Sequence, residues 1–294
     1  TDENFVAITA GEYSITQTKS PASETFPTRY DENGNVLWRD MKTIHLNLYA
    51  KDPHNIFHPA TSLENLNEYH FKKWGSKNIP CDGYHRVFTP ESIQEVIDRA
   101  NKAGFLVQFN HPNWSLNTRE DYINLKGLWG LEILNYCTEL ETGAEYCPAI
   151  YDDMLRHGHK LFCAMGDDNH NYMGGFTGSF GGFNYIGVDN LNYEEVMLAL
   201  EKGNFYCSSG PEIYSMYLDT EEMKIWVECS DATDVIFDGY NRTFRNYHGD
   251  KFNKVDFKLW GDEEYFRITV RDKFGRSAHT QAYFIDDIKK EYNL

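Results

Sequence analysis

No stretch of the 294-residue chain approaches the roughly 20 consecutive apolar residues that a helix needs to cross a bilayer, so a helical membrane span is excluded. Basic charge is also scarce. Lys and Arg number 28 against 45 Asp and Glu, a formal charge of −17, and phosphate-backbone binding depends on clustered Lys and Arg, so no nucleic-acid partner is expected. The six cysteines (Cys81, Cys137, Cys147, Cys163, Cys207, Cys229) contain no CxxC pair, which excludes a zinc ribbon and the dense disulfide framework of a small secreted domain. Cys163 and Cys229 lie in apolar runs and read as small buried hydrophobes. The glycine-rich run 174–182 does not open a helix after a strand; it is neither a P-loop nor a dinucleotide fingerprint, and reads as a lid or a long connection. An initiator Met and a signal peptide are also lacking: Thr1-Asp2-Glu3-Asn4 leads directly into strand-like residues 5–8. This start reads as a trimmed end with part of the natural protein upstream, and the compartment stays open between cytoplasmic and exported.

What the chain does hold is an ordinary globular mix, 41% apolar and 15% aromatic, with 20 Tyr, 19 Phe and 6 Trp. The acidic balance suits a site whose carboxylates are held by metal cations. Strand patterns at 5–9, 42–49, 105–109, 128–134, 160–165, 183–188 and 205–208 are interleaved with helix patterns, while 16–40 reads as a long loop and 51–88 as irregular. The clearest helix opens at Thr89-Pro90, carries Ile93, Val96, Ile97 and Ala100 on one face, and stops at Gly104. Others are expected near 119–125, across 144–157, and over 193–202 before Gly203. Short apolar strands alternating with amphipathic helices predict a parallel α/β barrel with helices outside. From Pro211 strand patterns follow one another without helices until the tail, which predicts a small antiparallel β-sandwich. The expected domains are 1–209, a metal-binding α/β barrel, and 210–294, the sandwich.

Metal-capable residues fall where predicted strands end: Glu12 after 5–9, His111 after 105–109, and Asp168 with His170 after 160–165. Glu132 lies late in its strand and His45 within one. Active sites of parallel barrels are built at those strand ends, and converging carboxylates and imidazoles are what divalent metals require. Taken singly, His111 reads as a satisfied loop histidine, Asp168 as a turn former and Glu12 as a solvated charge; their repetition at three strand ends favours a shared site.

These residues sit in Ala10-Gly11-Glu12-Tyr13-Ser14, His45-Leu46-Asn47-Leu48, Asn110-His111-Pro112-Asn113, Leu131-Glu132-Ile133-Leu134-Asn135 and Gly166-Asp167-Asp168-Asn169-His170. Together they resemble the PHP (polymerase and histidinol phosphatase) superfamily of metal-dependent phosphoesterases, and more narrowly its carbaryl-hydrolase-like branch. The resemblance implies a distorted (β/α)7 barrel with two or three zinc, manganese or iron ions. It implies Glu12 as a bridging carboxylate, His45 and His111 as ligands of one metal, Asp168 of a second and His170 of a third, with Glu12, His111, Asp168 and His170 carrying catalysis. Metal-activated water would attack phosphorus. The family's opening His-x-His strand end has no counterpart before Glu12, so the barrel reads as N-terminally incomplete, with the missing strands expected upstream or from another chain. The expected activity is hydrolysis of a small-molecule phosphoester. The alternatives are hydrolysis of a carbamate, ester or amide, and a degenerate barrel that acts as a binding module. Oligomeric state is left open.

Overall fold

The computed structural model describes residues 2–17, 30–34, 37, 40–62, 79–170 and 178–292. Most of 16–40, part of 51–88 and the first half of the 174–182 run therefore lie outside the described residues. The described strands are β1 (Ala10–Thr16), β2 (Thr43–Ala50), β3 (Phe105–Phe109), β4 (Gly130–Asn135), β5 (Phe162–Gly166), β6 (Phe183–Ile186), β7 (Phe205–Ser208), β8 (Ile213–Asp219), β9 (Lys224–Gly239), β10 (Arg245–Lys258), β11 (Tyr265–Arg271), β12 (Ser277–Thr280) and β13 (Tyr283–Phe284). The described helices are α1 (Pro90–Lys102), α2 (Arg119–Tyr122), α3 (Tyr136–Thr142), α4 (Pro148–Arg156), α5 (Tyr193–Lys202) and α6 (Ile285–Tyr292). None of them is long and apolar enough to cross a membrane. The chain divides into two compact units, Thr1–Leu131 with Asp189–Glu201, and Glu132–Val188 with Lys202–Leu294.

In the first unit β1 pairs antiparallel with β2, and β2 antiparallel with β3. Polar and apolar residues alternate along both β1 and β2, so each strand has one wet and one dry face. Tyr13, Ile15, Leu46, Leu48, Val107 and Phe109 are buried on the dry face. The opposite face carries Glu12 across from Asn47, His45 across from Ser14, and Gln108 across from Asn47. The Thr89 side chain caps α1 by accepting from Ser92 N, and Pro90 fits its first turn, where no intrahelical donor is needed. Ile93, Val96, Ile97 and Ala100 recur at helical spacing and are at most 2% exposed. Each large apolar side chain buried there contributes roughly 1.5–3 kcal/mol.

The second unit holds the rest of β4, then β5 and an eight-stranded antiparallel sheet. That sheet runs in the order β10-β9-β11-β12-β7-β6, with β8 beside β9 and β13 beside β11. It curls because one edge of the long β9 pairs first with β8 and then, from Asp234 onward, with β11. Val227, Val235, Phe237, Val255, Phe257, Phe266, Ile268 and Val270 fill the resulting core. Cys163 and Cys229 are buried, as their apolar contexts suggested, and all six cysteines are free thiols.

The parallel barrel is not formed. The first five strands lie in the sheet order β1-β2-β3-β4-β5, and β1, β2 and β3 alternate in direction where a (β/α)7 barrel needs parallel neighbours. The strands at β6 and β7 hydrogen-bond into the antiparallel sheet rather than to a barrel. The apolar residues 5–8 are not a strand; pairing starts at Ala10, so Glu12 stands inside β1 and not beyond a strand end. The helix expected across 144–157 forms as the shorter α4, which Pro148 starts, and the preceding residues Tyr136–Thr142 form α3, a helix the sequence did not lead us to expect, ended by Gly143 at φ +66.

A buried polar chain crosses the second unit. Arg267, 4% exposed, donates through Nε and Nη2 to Asp152 (both 2.7 Å), lies 3.0 Å from Asp238 and donates from Nη1 to Thr269 Oγ1. His279 Nδ1 lies 3.2 Å from Arg267 Nη1 and 3.0 Å from Thr269 Oγ1, and its Nε2 lies 2.8 Å from Tyr146 Oη. Burial, and then the positive Arg267, hold the His279 pKa well below the usual value. Unfolding lets this imidazole take up a proton below its ordinary pKa of about 6.5, so the unfolded chain binds the extra proton and stability falls as pH drops from there. Urea unfolding at pH 7.5 and 5.5 is expected to show about 1 kcal/mol more loss at the lower pH in wild type than in His279→Gln; equal losses would remove His279 from the pH dependence.

Candidate metal centre

The wet face of β1 and β2 assembles the site from antiparallel register. Glu12 and His45 are diagonal neighbours across the ladder, where long side chains meet. Asn110, one residue past β3, donates its backbone N–H to His45 O at 3.0 Å and so extends the pairing to the third strand. The chain then turns sharply: His111 has φ +24, a region that L residues with a side chain rarely adopt, and Pro112 follows. That turn swings the His111 ring, 2% exposed, back over the sheet.

Three potential ligand atoms result. Glu12 Oε1 lies 3.1 Å from His45 Nδ1 and 3.4 Å from His111 Nε2, and the two ring nitrogens are 3.3 Å apart. Among the described residues, Glu12, His45 and His111 are the one group of three or more His, Cys, Asp or Glu whose ligand atoms lie within 4.8 Å of one another. Metal bonds of about 2.0–2.2 Å to nitrogen and oxygen set neighbouring ligands of a tetrahedral site about 3.2–3.6 Å apart. The observed edges of 3.1–3.4 Å lie at the short end of that spacing, and the donor set of two imidazoles and one carboxylate is that of a borderline divalent cation. The cluster can hold a metal ion.

Neighbouring groups fix the donors in place. His111 Nδ1 is 3.0 Å from Ser115 Oγ; without a cation Nε2 can donate to Glu12, and donating Nδ1–H to Ser115 instead would turn the Nε2 lone pair to a cation. Asn110 Nδ2 donates to Glu12 Oε1 at 3.2 Å, while its own Oδ1 accepts from Gln108 Nε2 at 3.0 Å. Trp114 packs against both rings, with centroids 5.7 Å from His45 and 5.2 Å from His111. Partial burial acts to raise the Glu12 pKa, but hydrogen bonds from His111, His45 and Asn110 outweigh it and hold the carboxyl well below the usual carboxylate range. The side chains grade from 2% exposed at His111 through 16% at His45 to 36% at Glu12, so the centre is closed on one side and open to solvent on the other. Three protein donors beside an open face is the pattern of catalytic rather than structural zinc sites.

Asp168 and His170 lie in the second unit. Asp168 follows β5 with φ +48, and its Oδ2 accepts from Asn135 Nδ2 at 3.1 Å. The same amide donates to Glu132 Oε2 at 3.2 Å. His170 Nδ1 lies 2.8 Å from the Asp168 carbonyl and 3.6 Å from its carboxylate. Neighbouring Asp167 has a different task, accepting the backbone N–H groups of Phe180, Gly181 and Gly182 at 2.6, 3.0 and 2.9 Å. This anchors the described half of the glycine-rich run. The run needs its glycines there: a Cβ on Gly181 would meet the Tyr136 ring at 2.2 Å, and one on Gly182 would meet Gly166 O at 2.8 Å.

Sequence reasoning did not single out Gln108, Trp114 or Ser115. The signal for Gln108 was present as the one polar residue in the run Phe105-Leu106-Val107-Gln108-Phe109, whose other members are all buried apolar residues. No family model, no curated protein and no solved structure matches this chain.

Proposed function

We propose that the chain is a metal-dependent hydrolase centred on Glu12, His45 and His111, with phosphoesters as its first substrate class. The observation that carries this reading is the 3.1–3.4 Å spacing of one carboxylate oxygen and two imidazole nitrogens at a half-open face. The same trio is the one that the PHP resemblance would set around a shared cation. A cation held there would supply Lewis acidity and acidify water at the site. The rest is the work of the chain's own groups. Glu12 and the two imidazoles hold the charge, Ser115 sets the His111 tautomer, and Asn110 keeps Glu12 Oε1 turned inward. Trp114 shields the rings from one side, which lowers the local dielectric on the histidines. The open Glu12 side leaves room for a substrate oxygen. Two imidazoles with one carboxylate favour zinc, with iron next and manganese third. Asp168 and His170 are proposed as ligands of further cations, so the metal content per chain bears directly on their role.

Elemental analysis of the purified chain is expected to find at least one transition metal per molecule, with turnover of 4-nitrophenyl phosphate lost on chelation and restored by zinc. Metal content with turnover of 4-nitrophenyl acetate alone would move the reading to carboxylic esters, and absence of any stoichiometric metal would overturn it. Ser115→Ala is expected to weaken zinc binding about 10–100-fold, the usual cost of losing a group that orients a ligand. Isothermal titration checks this, and an unchanged affinity would remove Ser115 from the centre.

A further inference from the structure

A second polar pocket lies wholly within the second unit and takes no part in the metal centre. It is a cavity of about 360 Å3 with Leu134, Tyr136, Phe180 and Phe274 as its apolar walls and Tyr146, Ser277 and Arg276 among its polar groups. Phe180 and Phe274 are 82% and 71% exposed, large rings left in water at the cavity. The volume is within the roughly 300–1,000 Å3 range of small-molecule sites.

Its polar end is set by the buried chain behind it. Arg267 Nη1 can only donate, so His279 Nδ1, 3.2 Å away, must accept, and it accepts equally from Thr269 Oγ1, whose oxygen already takes a proton from the same guanidinium. The neutral imidazole therefore carries its hydrogen on Nε2 and donates it to Tyr146 Oη at 2.8 Å. With its oxygen accepting from His279, the Tyr146 hydroxyl turns its hydrogen to Ser277 Oγ. Ser277 is buried beside Tyr146, and its own hydroxyl hydrogen has no acceptor among the described residues. Such a group costs free energy unless something fills its place. Burial raises the Tyr146 pKa, so the phenol remains a donor. The Ser277 hydroxyl thus stands as a donor at one end of an aromatic-walled cavity, held there by Tyr146. Arg276 adds positive charge at its edge, shared with Asp272 through two 2.7 Å contacts. Glu139 also lines the cavity, and the charge on its carboxylate is taken up in part by the backbone N–H groups of Glu145 and Tyr146, both donating to its Oε2.

We propose that this cavity binds a small organic carboxylate with an aromatic or compact apolar body, its carboxylate taken by Ser277 and Arg276, with Tyr146 orienting the Ser277 hydroxyl, and its body held against Phe180, Phe274 and Tyr136. The site is independent of the metal centre, and its test is run on chelator-treated protein so that carboxylate binding to a cation cannot contribute. Titration of the full chain with 4-fluorobenzoate, followed by 19F NMR, is expected to saturate at one equivalent. Ser277→Ala and Tyr146→Phe are each expected to weaken it about 10-fold, the scale of a hydrogen bond to a charged group. Arg276→Gln, at a half-exposed position that leaves folding intact, is expected to weaken it several-fold, and His45→Ala is expected to bind as wild type does. Absence of saturable binding would overturn the proposal. So would equal affinity for 4-fluorobenzyl alcohol, or affinity unchanged in both Ser277→Ala and Arg276→Gln.

Discussion

Replacing His111 by Ala is expected to abolish retention of a divalent cation and to lower the stability of the metal-free protein by about 1–3 kcal/mol. The first effect follows from geometry. His111 Nε2 supplies one of three donors spaced 3.1–3.4 Å apart, and the remaining pair, Glu12 and His45, leaves half of the coordination sphere to solvent. Losing a ligand should therefore exceed the 10–100-fold cost expected for a supporting group such as Ser115. The stability loss has two parts. Removing a ring that is 2% exposed leaves a cavity beside Trp114, and Ser115 Oγ loses its partner. The backbone supplies a control. His111 adopts φ +24, which suits glycine better than any residue with a Cβ. His111→Gly should bind metal as poorly as His111→Ala while being about as stable or up to roughly 1 kcal/mol more stable. Isothermal titration with zinc and urea unfolding of the metal-free variants measure both effects. Wild-type affinity in either variant would remove His111 from the centre.

Arg267→Ala is expected to cost about 3–5 kcal/mol, the largest single-residue effect on stability predicted for this chain. The guanidinium is nearly buried and faces two carboxylates, Asp152 at 2.7 Å through two nitrogens and Asp238 at 3.0 Å. Burial already raises the Asp238 pKa, and Arg267 is the main group opposing that rise. Without it the Asp238 pKa should rise further and Asp152 should be left without its bidentate partner. Thr269 and His279 also lose the donor that sets their hydrogen bonds. A second substitution tests the cause. Arg267→Met with Asp152→Asn should recover part of the loss shown by Arg267→Met alone, because the damage comes from an uncompensated charge and not from missing volume. Urea unfolding of the three variants measures this coupling, and a loss below about 1 kcal/mol in Arg267→Ala would show that the pair is not what holds this core together.

Local signals in the sequence were followed closely by the structure. The Thr89-Pro90 start, the apolar stripe of α1, α5 over Tyr193–Lys202, and the strands Phe105–Phe109, Phe205–Ser208 and Tyr265–Arg271 form where capping residues and periodicity put them. Pairing direction was not legible. An apolar strand such as Phe105-Leu106-Val107-Gln108-Phe109 looks the same in a parallel or an antiparallel sheet when both its faces are buried. Reading helix–strand alternation as a parallel barrel was therefore an inference from order alone, and the antiparallel β1-β2-β3 arrangement overturns it. The same ambiguity misplaced Glu12. Residues 5–8 have strand composition, yet the ladder begins at Ala10 because Glu12, Ser14 and Thr16 alternate with Tyr13 and Ile15, which supply the buried face. The ligand residue types survive this change of topology. Diagonal pairing across β1 and β2 joins Glu12 to His45, and a turn after β3 brings in His111. Supporting residues were harder to see, since Ser115 and Trp114 enter through the turn that follows His111-Pro112, whose path the sequence does not reveal.

Cobalt titration of the chelator-treated chain, read by visible absorption, tests the central claim most directly. The trio of Glu12, His45 and His111 predicts d–d bands of the intensity that marks low-coordinate cobalt with nitrogen and oxygen donors, rising to a defined stoichiometry and displaced by zinc. The bands should be lost or sharply weakened in Glu12→Gln, His45→Ala and His111→Ala. Saturable bands of unchanged intensity in all three variants, or none in the wild-type chain, would contradict the account.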